Sequence, residues 1–395
     1  MSKPDDTSPI GVADPIDEHD APWVNEDVPS VDEDAPSLDE TDEVVRDRDQ
    51  LNDFVKTLTT AEIKNGEWFA KLLTMAVAKY TKKVNWQYFQ DKYPGVPRDV
   101  IVDQRIKLAA RYASIEGGLS ASAYTTAVAA TIGSLSGASP VTIPAALVTA
   151  MVDLTYITQL QLRLAYDISF LYGVQIDMDD PEDLWKLIKV AFTIRSGEFV
   201  REGALKAAPA FVRPALRMYY SGPVLAAAKG LPFVGKYLLQ RTVIKIAIPL
   251  VGIPLAVVVN HWTTKVAGRH ARAVFRNEAR VVETAERLVE QSKHPQLMLW
   301  VAWLVVQSDK KTSDDEALMM RHLIPLVRKH HQVVDARLAH VVEIIPNEVW
   351  SRIEEAEGEL DDVVAAAETV AEIDGKPNVQ ERMMLDEIRR RCRRE

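Results

Sequence analysis

The chain has 395 residues, of which 47% are apolar and 26% are charged, and its formal net charge is −10. This apolar content is enough for a packed core and excludes a chain that is disordered throughout. A single cysteine, Cys392, excludes an internal disulfide and is typical of a reducing compartment. The N-terminus is acidic and carries no apolar leader, so we expect a cytoplasmic protein.

Negative charge is concentrated at the N-terminus, where residues 1–50 hold 17 Asp and Glu against three Lys and Arg. The rest of the chain therefore carries a formal charge of +4. An Asp-x-Pro unit recurs every seven residues between residues 20 and 36. Acid and proline at this density cannot bury enough apolar surface to offset chain entropy. We expect residues 1–48 to form a disordered acidic tail, with Trp23 as a candidate anchor for a protein partner.

Apolar residues at three-to-four spacing dominate from Leu51 onward and predict helices, whereas strand patterns are scarce. One helix is predicted over 99–115 and a longer one over 145–172. Gly173 is placed to end the longer helix, and Asp180-Pro181-Glu182 is placed to start the next. We therefore predict an all-α fold.

Residues 117–152 run for 36 positions without a charged side chain. The stretch is rich in Gly, Ala, Ser and Thr and contains Pro140 and Pro144, unlike a simple membrane span of ~20 mainly apolar residues. It predicts a packed hairpin of two helices, with turns at Gly117-Gly118, at Gly133 and at 137–140. Whether the hairpin is buried in the protein or enters lipid stays open at this point.

The predicted helix over 145–172 is apolar over most of its circumference but carries one polar stripe. At about 100° per residue, five polar residues fall within a sector of roughly 120°: Asp153, Tyr156, Gln159, Arg163 and Asp167. Unpaired buried charges are costly, so the stripe needs polar partners, and Arg163 and Asp167 are one turn apart and able to pair. The stripe is either an internal ladder of ion pairs that fixes helix register, or a polar cleft that binds a headgroup, an ion or a partner.

A second apolar run, at 246–259, is interrupted by Pro249, Gly252 and Pro254 and is too short for a membrane span. Basic residues flank it, and four are candidate membrane contacts: Lys245, Lys265, Arg269 and Arg272. Near anionic headgroups each basic residue contributes roughly 1 kcal/mol. The run is either a core helix followed by a solvated basic helix, or a segment that meets an anionic membrane surface.

Near the C-terminus an Asp-x6-Glu unit occurs twice, as Asp309 with Glu316 and as Asp374 with Glu381. Carboxylates bind hard divalent cations, so these four residues are candidate metal ligands, with calcium, magnesium and zinc not distinguished. A capping residue also stands three positions before each Glu, as at helix starts: Ser313 and Asn378. Capping alone and capping combined with metal coordination are both compatible with this pattern.

Signatures of catalysis are absent from the sequence, which has no P-loop, no G-x-G-x-x-G and no H-E-x-x-H. We therefore assign no catalytic residue. The arginine-rich segment 389–394 lacks the aromatic residues and groove-reading motifs of nucleic-acid binders, so we expect no nucleic-acid partner.

Several motifs, in order, resemble the EcsC family over about residues 50–285. They are the segment from Asp153 to Arg163, then Leu-Tyr-Gly at 171–173, Ile-Pro-Leu-Val-Gly at 248–252, and Gly-Arg-His-Ala at 268–271. The resemblance implies a bacterial helical domain that associates with a membrane.

The C-terminal part, about 287–395, resembles the tellurite-resistance TerB-like domain through its two Asp-x6-Glu units and the alanines before them. This resemblance implies a helical bundle with metal-binding acidic positions and a link to envelope stress or chemical defence. Lys310 departs from the pattern, because the second unit has Gly375 at the equivalent place. We expect an acidic tail at 1–48, an EcsC-like domain at 49–285 and a TerB-like domain at 286–395.

These patterns predict a non-enzymatic scaffold or sensor, peripheral at the inner membrane face, with an anionic membrane as partner and a divalent cation as candidate cofactor. One alternative is a hydrolase or lipid-modifying enzyme in which Asp153 and Asp167 act as acid and base while Arg163 holds an anionic group. Another is a soluble interaction scaffold that binds neither lipid nor metal.

Overall fold

The computed structural model describes residues 38–133, 145–193, 231–232, 234–239, 252–308, 313–332 and 345–393. Every regular element within these ranges is a helix, so the predicted all-α fold is confirmed. The following positions and segments with predicted roles lie outside the described residues: 1–37, the predicted turn at 137–140, Lys245, residues 246–251 of the second apolar run, and Asp309.

Numbered in chain order, the helices are α1 (Leu38–Lys56), α2 (Thr60–Asn65), α3 (Trp68–Leu72), α4 (Ala78–Thr81), α5 (Trp86–Lys92), α6 (Arg98–Gly133), α7 (Ala145–Leu171), α8 (Pro181–Ala191), α9 (Gly252–Gln291), α10 (Pro295–Val306), α11 (Asp314–His331), α12 (Pro346–Glu355), α13 (Asp361–Ala371) and α14 (Val379–Cys392). A π-helical turn, Leu73–Val77, joins α3 to α4.

Two helix ends lie where single residues of the sequence predicted them. Gly173, with φ of +77°, follows the end of α7, and the Asp180 side chain caps the start of α8.

The first hydrophobic core is built on α6 and α7, which pack side by side. The two helices run antiparallel. The Tyr172 hydroxyl, just after α7, donates to Asp99 in the first turn of α6 (2.6 Å). Further along both helices, Arg105 pairs with Asp167. Short helices before α6 add fully buried aromatic side chains such as Trp68 to this core.

α9 packs along α6 in the opposite direction, and the two backbones meet at a glycine. The Ser114 hydroxyl lies 3.0 Å from Nδ1 of His261, and one turn further on Gly117 lies against Ala256. A Cβ on Gly117 would stand 2.8 Å from the Ala256 carbonyl oxygen, so the contact requires glycine. The predicted turn at Gly117-Gly118 is therefore wrong, because α6 continues through both residues and uses the first as a helix contact.

Both arms of the predicted small-residue hairpin are helical where they are described, and segment 134–144 between them lies outside the described residues. The antiparallel packing brings residues 118–133, 145–152 and 252–259 to the same end of the bundle. None of these three segments contains a charged residue, and together they are named the uncharged end. No helix in the described part of the chain is long and apolar enough to cross a membrane.

α1 begins at Leu38, so residues 38–48 of the predicted tail are helical instead of disordered. Val44, Leu51 and Val55 lie along one side of α1 and are buried in the first core. Their spacing of seven and then four residues is typical of a helix. It was not recognised from the sequence, because the surrounding residues are mostly acidic and polar. Tertiary packing on α6 and α7 thus orders a segment whose composition alone predicts disorder.

The second core contains α10 to α14 together with the last part of α9. α10 is buried over residues 297–306, nearly its whole length. α9 continues unbroken through residue 285, the predicted domain boundary. Apolar side chains of α9 up to Ala279 pack in the first core, and those from Val281 onward pack in the second. One helix therefore belongs to both cores.

Candidate functional site

Asp167, at one end of the polar stripe, is fully buried and has both carboxylate oxygens occupied. The Tyr80 hydroxyl donates to Oδ1 (2.7 Å), and Nε of Arg105 donates to Oδ2 (2.9 Å). Burial raises the pKa of Asp167, and the charge of Arg105 opposes that rise. Burial and then the charge of Asp167 raise the pKa of Tyr80 well above its usual value, so the phenol stays protonated and donates.

The spacing of Arg163 and Asp167 predicted that the two residues could pair. In the structure Arg163 instead bonds to a residue of another helix. Its Nη1 donates to Oδ2 of Asp47 in α1 (2.8 Å), and its guanidinium lies 5.1 Å from the centre of the Tyr80 ring. With the amide oxygen of Gln159 turned toward it, Nη2 donates to that oxygen at 2.8 Å. The stripe is therefore held by contacts between helices.

Asp153, at the other end of the stripe, accepts a hydrogen bond from Asn260 of α9 (3.1 Å). Its charge also acts on Glu116, a wholly buried carboxylate of α6. Glu116 accepts from Arg48 of α1 (3.0 Å) and from Ser120 (2.6 Å). Burial and then the charge of Asp153 raise the pKa of Glu116 to about 7, although Arg48 opposes them. Glu116 is the last charged residue of α6 before the uncharged end, a signal that the sequence prediction did not use.

α1 supplies a row of acids to the same region. Glu40 accepts from Arg111 (2.8 Å), and Glu43 accepts from the Tyr112 hydroxyl (2.5 Å). Both partners lie on α6, whereas Asp47 meets α7. Residues assigned by composition to a tail thus bond to α6 and α7, and Asp47 is a direct partner of the polar stripe.

A cavity of about 80 Å³ lies beside the stripe, between α1, α4, α5, α6 and α7. Its charged lining residues are two acids and three bases: Glu43, Asp47, Lys92, Arg105 and Arg163. Tyr156, the remaining stripe residue, is buried in the same lining. Ligand pockets usually measure roughly 300–1,000 Å³, so this cavity has room for a few waters or one small ion. The contacts therefore favour the internal ladder over a ligand-binding cleft.

The enzymatic alternative finds no support in this geometry. Asp153 and Asp167 are separated by 14 residues of one helix, which corresponds to a rise of about 21 Å. Paired carboxylates that act as acid and base on one bond lie within about 10 Å of each other. Asp167 is moreover held by Arg105 and Tyr80, so it is not open to a substrate.

Arg272, one of the predicted membrane contacts, faces α6. Its Nη1 donates to Asp103 (2.5 Å), and its Nη2 donates to Asp99 (3.4 Å). These ion pairs fix α9 against α6, so Arg272 contributes to helix packing instead of the predicted lipid contact. The two other described candidates, Lys265 and Arg269, lie within about 60° of Arg272 around the axis of α9, where Lys265 is partly exposed and Arg269 is exposed.

Between residues 258 and 276 of α9, five residues fall within a sector of roughly 60° and form what we name the basic–aromatic face: Val258, Trp262, Lys265, Arg269 and Arg276. The side chains of Trp262 and Val258 are 59% and 44% exposed. Arg269 and Arg276 are exposed, and Lys265 is partly so. Exposed apolar side chains grouped beside cations are typical of surfaces that meet lipid or a partner.

Glu316 and Glu381 are buried, and each closes a capping box at a helix start, as the sequence pattern predicted. The backbone N–H groups of Ser313 and Asn378 each donate to the following Glu at 2.7 Å. Burial raises the pKa of Glu316, and the charges of Asp374 and Glu381 add to this rise. The carboxylates of the two repeat units therefore interact electrostatically. Within the described residues, no group of three or more His, Cys, Asp or Glu is arranged to hold a metal ion.

Comparisons with protein-family models, with curated proteins and with solved structures give no match for this chain. The EcsC-like and TerB-like resemblances therefore stay predictions from sequence motifs.

Proposed function

We propose that this chain is a non-enzymatic helical scaffold that docks on the cytoplasmic face of an anionic membrane. The uncharged end enters the interfacial layer, Trp262 lies at its boundary, and Lys265 and Arg269 contact lipid headgroups. The observation that carries the proposal is the position of Trp262, which is exposed on α9 between the apolar Val258 and these two cations.

The dimensions of the uncharged end suit a shallow insertion. Residues 118–133 of α6 rise about 24 Å, which is less than the ~30 Å thickness of a hydrocarbon core. Helical backbone satisfies its own hydrogen bonds and can enter lipid without unpaired groups. The Ser122 hydroxyl follows the same rule, since it donates to the carbonyl oxygen of Gly118 (2.9 Å).

The charges of the basic–aromatic face set the expected strength of docking. Near an anionic surface, each of Lys265, Arg269 and Arg276 contributes about 1 kcal/mol at moderate salt. Trp262 and Val258 add apolar surface at the depth of the headgroups, where aromatic side chains are favoured. An attachment of this kind is reversible and weakens as salt rises, as expected of a peripheral protein.

Liposome flotation tests the proposal. The full chain should float with vesicles of 30% phosphatidylserine and 70% phosphatidylcholine at low salt, and not with phosphatidylcholine alone. Lys265→Glu/Arg269→Glu should lower the apparent affinity at least about 30-fold, because two attractive terms of about 1 kcal/mol are lost. Trp262→Ala should also weaken flotation.

The matched control is Lys329→Glu/Arg382→Glu, which makes the same change in net charge at exposed positions of α11 and α14. This variant should float like the unmodified chain. Failure to float at low salt, both for the full chain and for a chain that begins at residue 38, would contradict membrane docking. If both double variants lost the same affinity for vesicles, the loss would be due to net charge and not to the basic–aromatic face.

A second proposed role, response to a divalent cation, rests on the two Asp-x6-Glu units and on the electrostatic effect of Asp374 and Glu381 on Glu316, since no preformed group of three ligands lies within the described residues. Negative charges held close together are relieved by a hard cation with oxygen ligands. Calorimetric titration of the full chain with calcium, magnesium and zinc should give heat for at least one cation and a rise in Tm. Asp374→Asn should weaken both. Absence of heat and of any Tm change with all three cations would leave capping as the role of these carboxylates.

A further inference from the structure

We propose that residues 1–37 bind the basic–aromatic face of α9 within the same molecule and compete with the membrane for it. The binding step stands on charge, reach and apolar complementarity. The competition step rests in addition on the proposed membrane docking.

The charges of the two partners are complementary. Residues 1–37 contain eleven Asp and Glu and one basic residue, Lys3, so they carry the whole formal net charge of the chain, −10. The basic–aromatic face of α9 contains three basic residues and no acid, whereas the neighbouring Arg272 is paired with Asp99 and Asp103. An acidic segment tethered beside a basic helix face is attracted to it most strongly at low salt.

The start of α1 places the acidic segment close to this face. Glu40, the third described residue of α1, bonds to Arg111 on α6 (2.8 Å). Ser114, about one turn further along α6, contacts His261 of α9 (3.0 Å), next to Trp262. The start of α1 and the face therefore flank the same part of α6, at about two interhelix spacings or ~20 Å.

A tether of this length covers the distance several times over. A chain of 37 residues spans up to ~120 Å when extended and roughly 35 Å on average as a random coil. Binding over ~20 Å is then intramolecular, with an effective concentration on the order of millimolar. Weak contacts suffice to occupy the face under these conditions.

Trp23 gives the acidic segment an apolar group that matches the exposed part of the face. Asp20 precedes it, and Glu26 and Asp27 follow it. Trp23 can pack on Trp262 and Val258. The acids on either side of Trp23 then meet the basic residues further along α9. The same side chains of α9 cannot contact lipid headgroups at that moment.

A lipid-free titration tests the binding step. A fluorescently labelled peptide of residues 1–37 is titrated with a chain that begins at residue 38, which retains every described contact of the fold. Fluorescence anisotropy should show saturable binding at 50 mM NaCl that is lost at 500 mM. The full chain should bind the peptide at least tenfold more weakly, because its own segment occupies the face.

Lys265→Glu/Arg269→Glu in the shortened chain should weaken peptide binding at least tenfold, and Trp23→Ala in the peptide should weaken it as well. The control Lys329→Glu/Arg382→Glu should leave it unchanged. No saturable binding to the shortened chain, or equal binding by both double variants, would overturn the inference.

Flotation separates this inference from the proposed function. Stronger flotation of the shortened chain than of the full chain supports competition. Equal flotation of both chains with no peptide binding overturns the inference and leaves membrane docking intact. Face-specific peptide binding with no flotation of either chain supports the intramolecular contact and overturns both competition and membrane docking.

Discussion

Asp167 shows at the scale of one residue what pairing does for a buried charge. It is enclosed by Arg105 and Tyr80, and its removal leaves a largely buried guanidinium without a counter-charge. Breaking one side of a buried pair usually costs about 3–5 kcal/mol. We therefore expect Asp167→Asn to lower the free energy of unfolding by this amount in urea denaturation.

Asp49→Asn is the control for this substitution, because Asp49 is an exposed acid of α1. Its effect should stay within about 0.5 kcal/mol. A loss below 1 kcal/mol for Asp167→Asn would mean that the Arg105–Asp167 pair contributes little to the fold.

Glu116 makes stability depend on pH in a window that its pKa defines. The folded-state pKa is raised to about 7 from an ordinary value of 4.5, so between these values the folded state binds more protons than the unfolded state. The contribution of Glu116 to the free energy of unfolding is therefore largest below pH 4.5, falls as the pH rises toward 7, and is constant above pH 7. The full effect is at most about 3 kcal/mol.

Glu116→Gln cannot ionise and should remove this part of the decline. The difference in unfolding free energy between the variant and the parent chain should grow in favour of the variant from pH 5 to pH 8, measured by urea denaturation. Glu359→Gln, at an exposed position, is the control and should keep the parent's slope. A constant difference across pH 5–8 would show that Glu116 is already ionised at low pH in the folded protein.

At the scale of elements, two adjacent glycines of α6 have opposite roles. A Cβ on Gly117 would stand 2.8 Å from the backbone oxygen of Ala256, which belongs to another helix and cannot yield easily. A Cβ on Gly118 would meet only the Val257 side chain, at 3.7 Å. We expect Gly117→Ala to cost about 1–3 kcal/mol. Gly118→Ala should stabilise by up to about 1 kcal/mol, because alanine is the better helix former.

Thermal and urea unfolding of the two variants check this contrast. Each variant is the other's control, since both add one methyl group to the same helix. Equal effects would mean that α6 and α9 do not approach closely at Gly117.

The helix bounds that depend on local chemistry were predictable from sequence, and those that depend on distant packing were not. Gly173 and Asp180 mark helix ends through their own conformation and side-chain bonding. Gly117 looks like a turn residue until its neighbour from α9 is known. α1 was not predicted for a related reason. Its three buried valine and leucine residues stabilise a helix only when they pack against α6 and α7.

The candidate site follows the same division. Periodicity predicted the polar stripe of α7, but its partners depend on which helices pack against it. Arg163 had an acid one turn away in sequence and nevertheless bonds to Asp47 of α1. The capping boxes of α11 and α14 were predictable because each is closed within four residues.

At the scale of the whole molecule, α9 joins the two hydrophobic cores, and buried charges reinforce the junction. Glu278, which is nearly inaccessible, bonds to Lys186 of α8 and lies 3.5 Å from Nε2 of His322 in α11. Arg321 adds a contact to Asp183 of α8 (3.1 Å). The N-terminal half of α9 is left to present the basic–aromatic face, next to the uncharged end.

A single labelling experiment tests the membrane orientation most directly. Val258→Cys in a Cys392→Ala background carries an environment-sensitive fluorophore on the basic–aromatic face. Met383→Cys in the same background, 69% exposed on α14, is the reference position. Both are measured in the full chain and in a chain that begins at residue 38.

On addition of vesicles with 30% phosphatidylserine, the probe at Val258 should shift to the blue and gain intensity, because it moves into the headgroup layer. The probe at Met383 should not change. No response at Val258 in either chain, or an equal response at both positions, would contradict docking through α9.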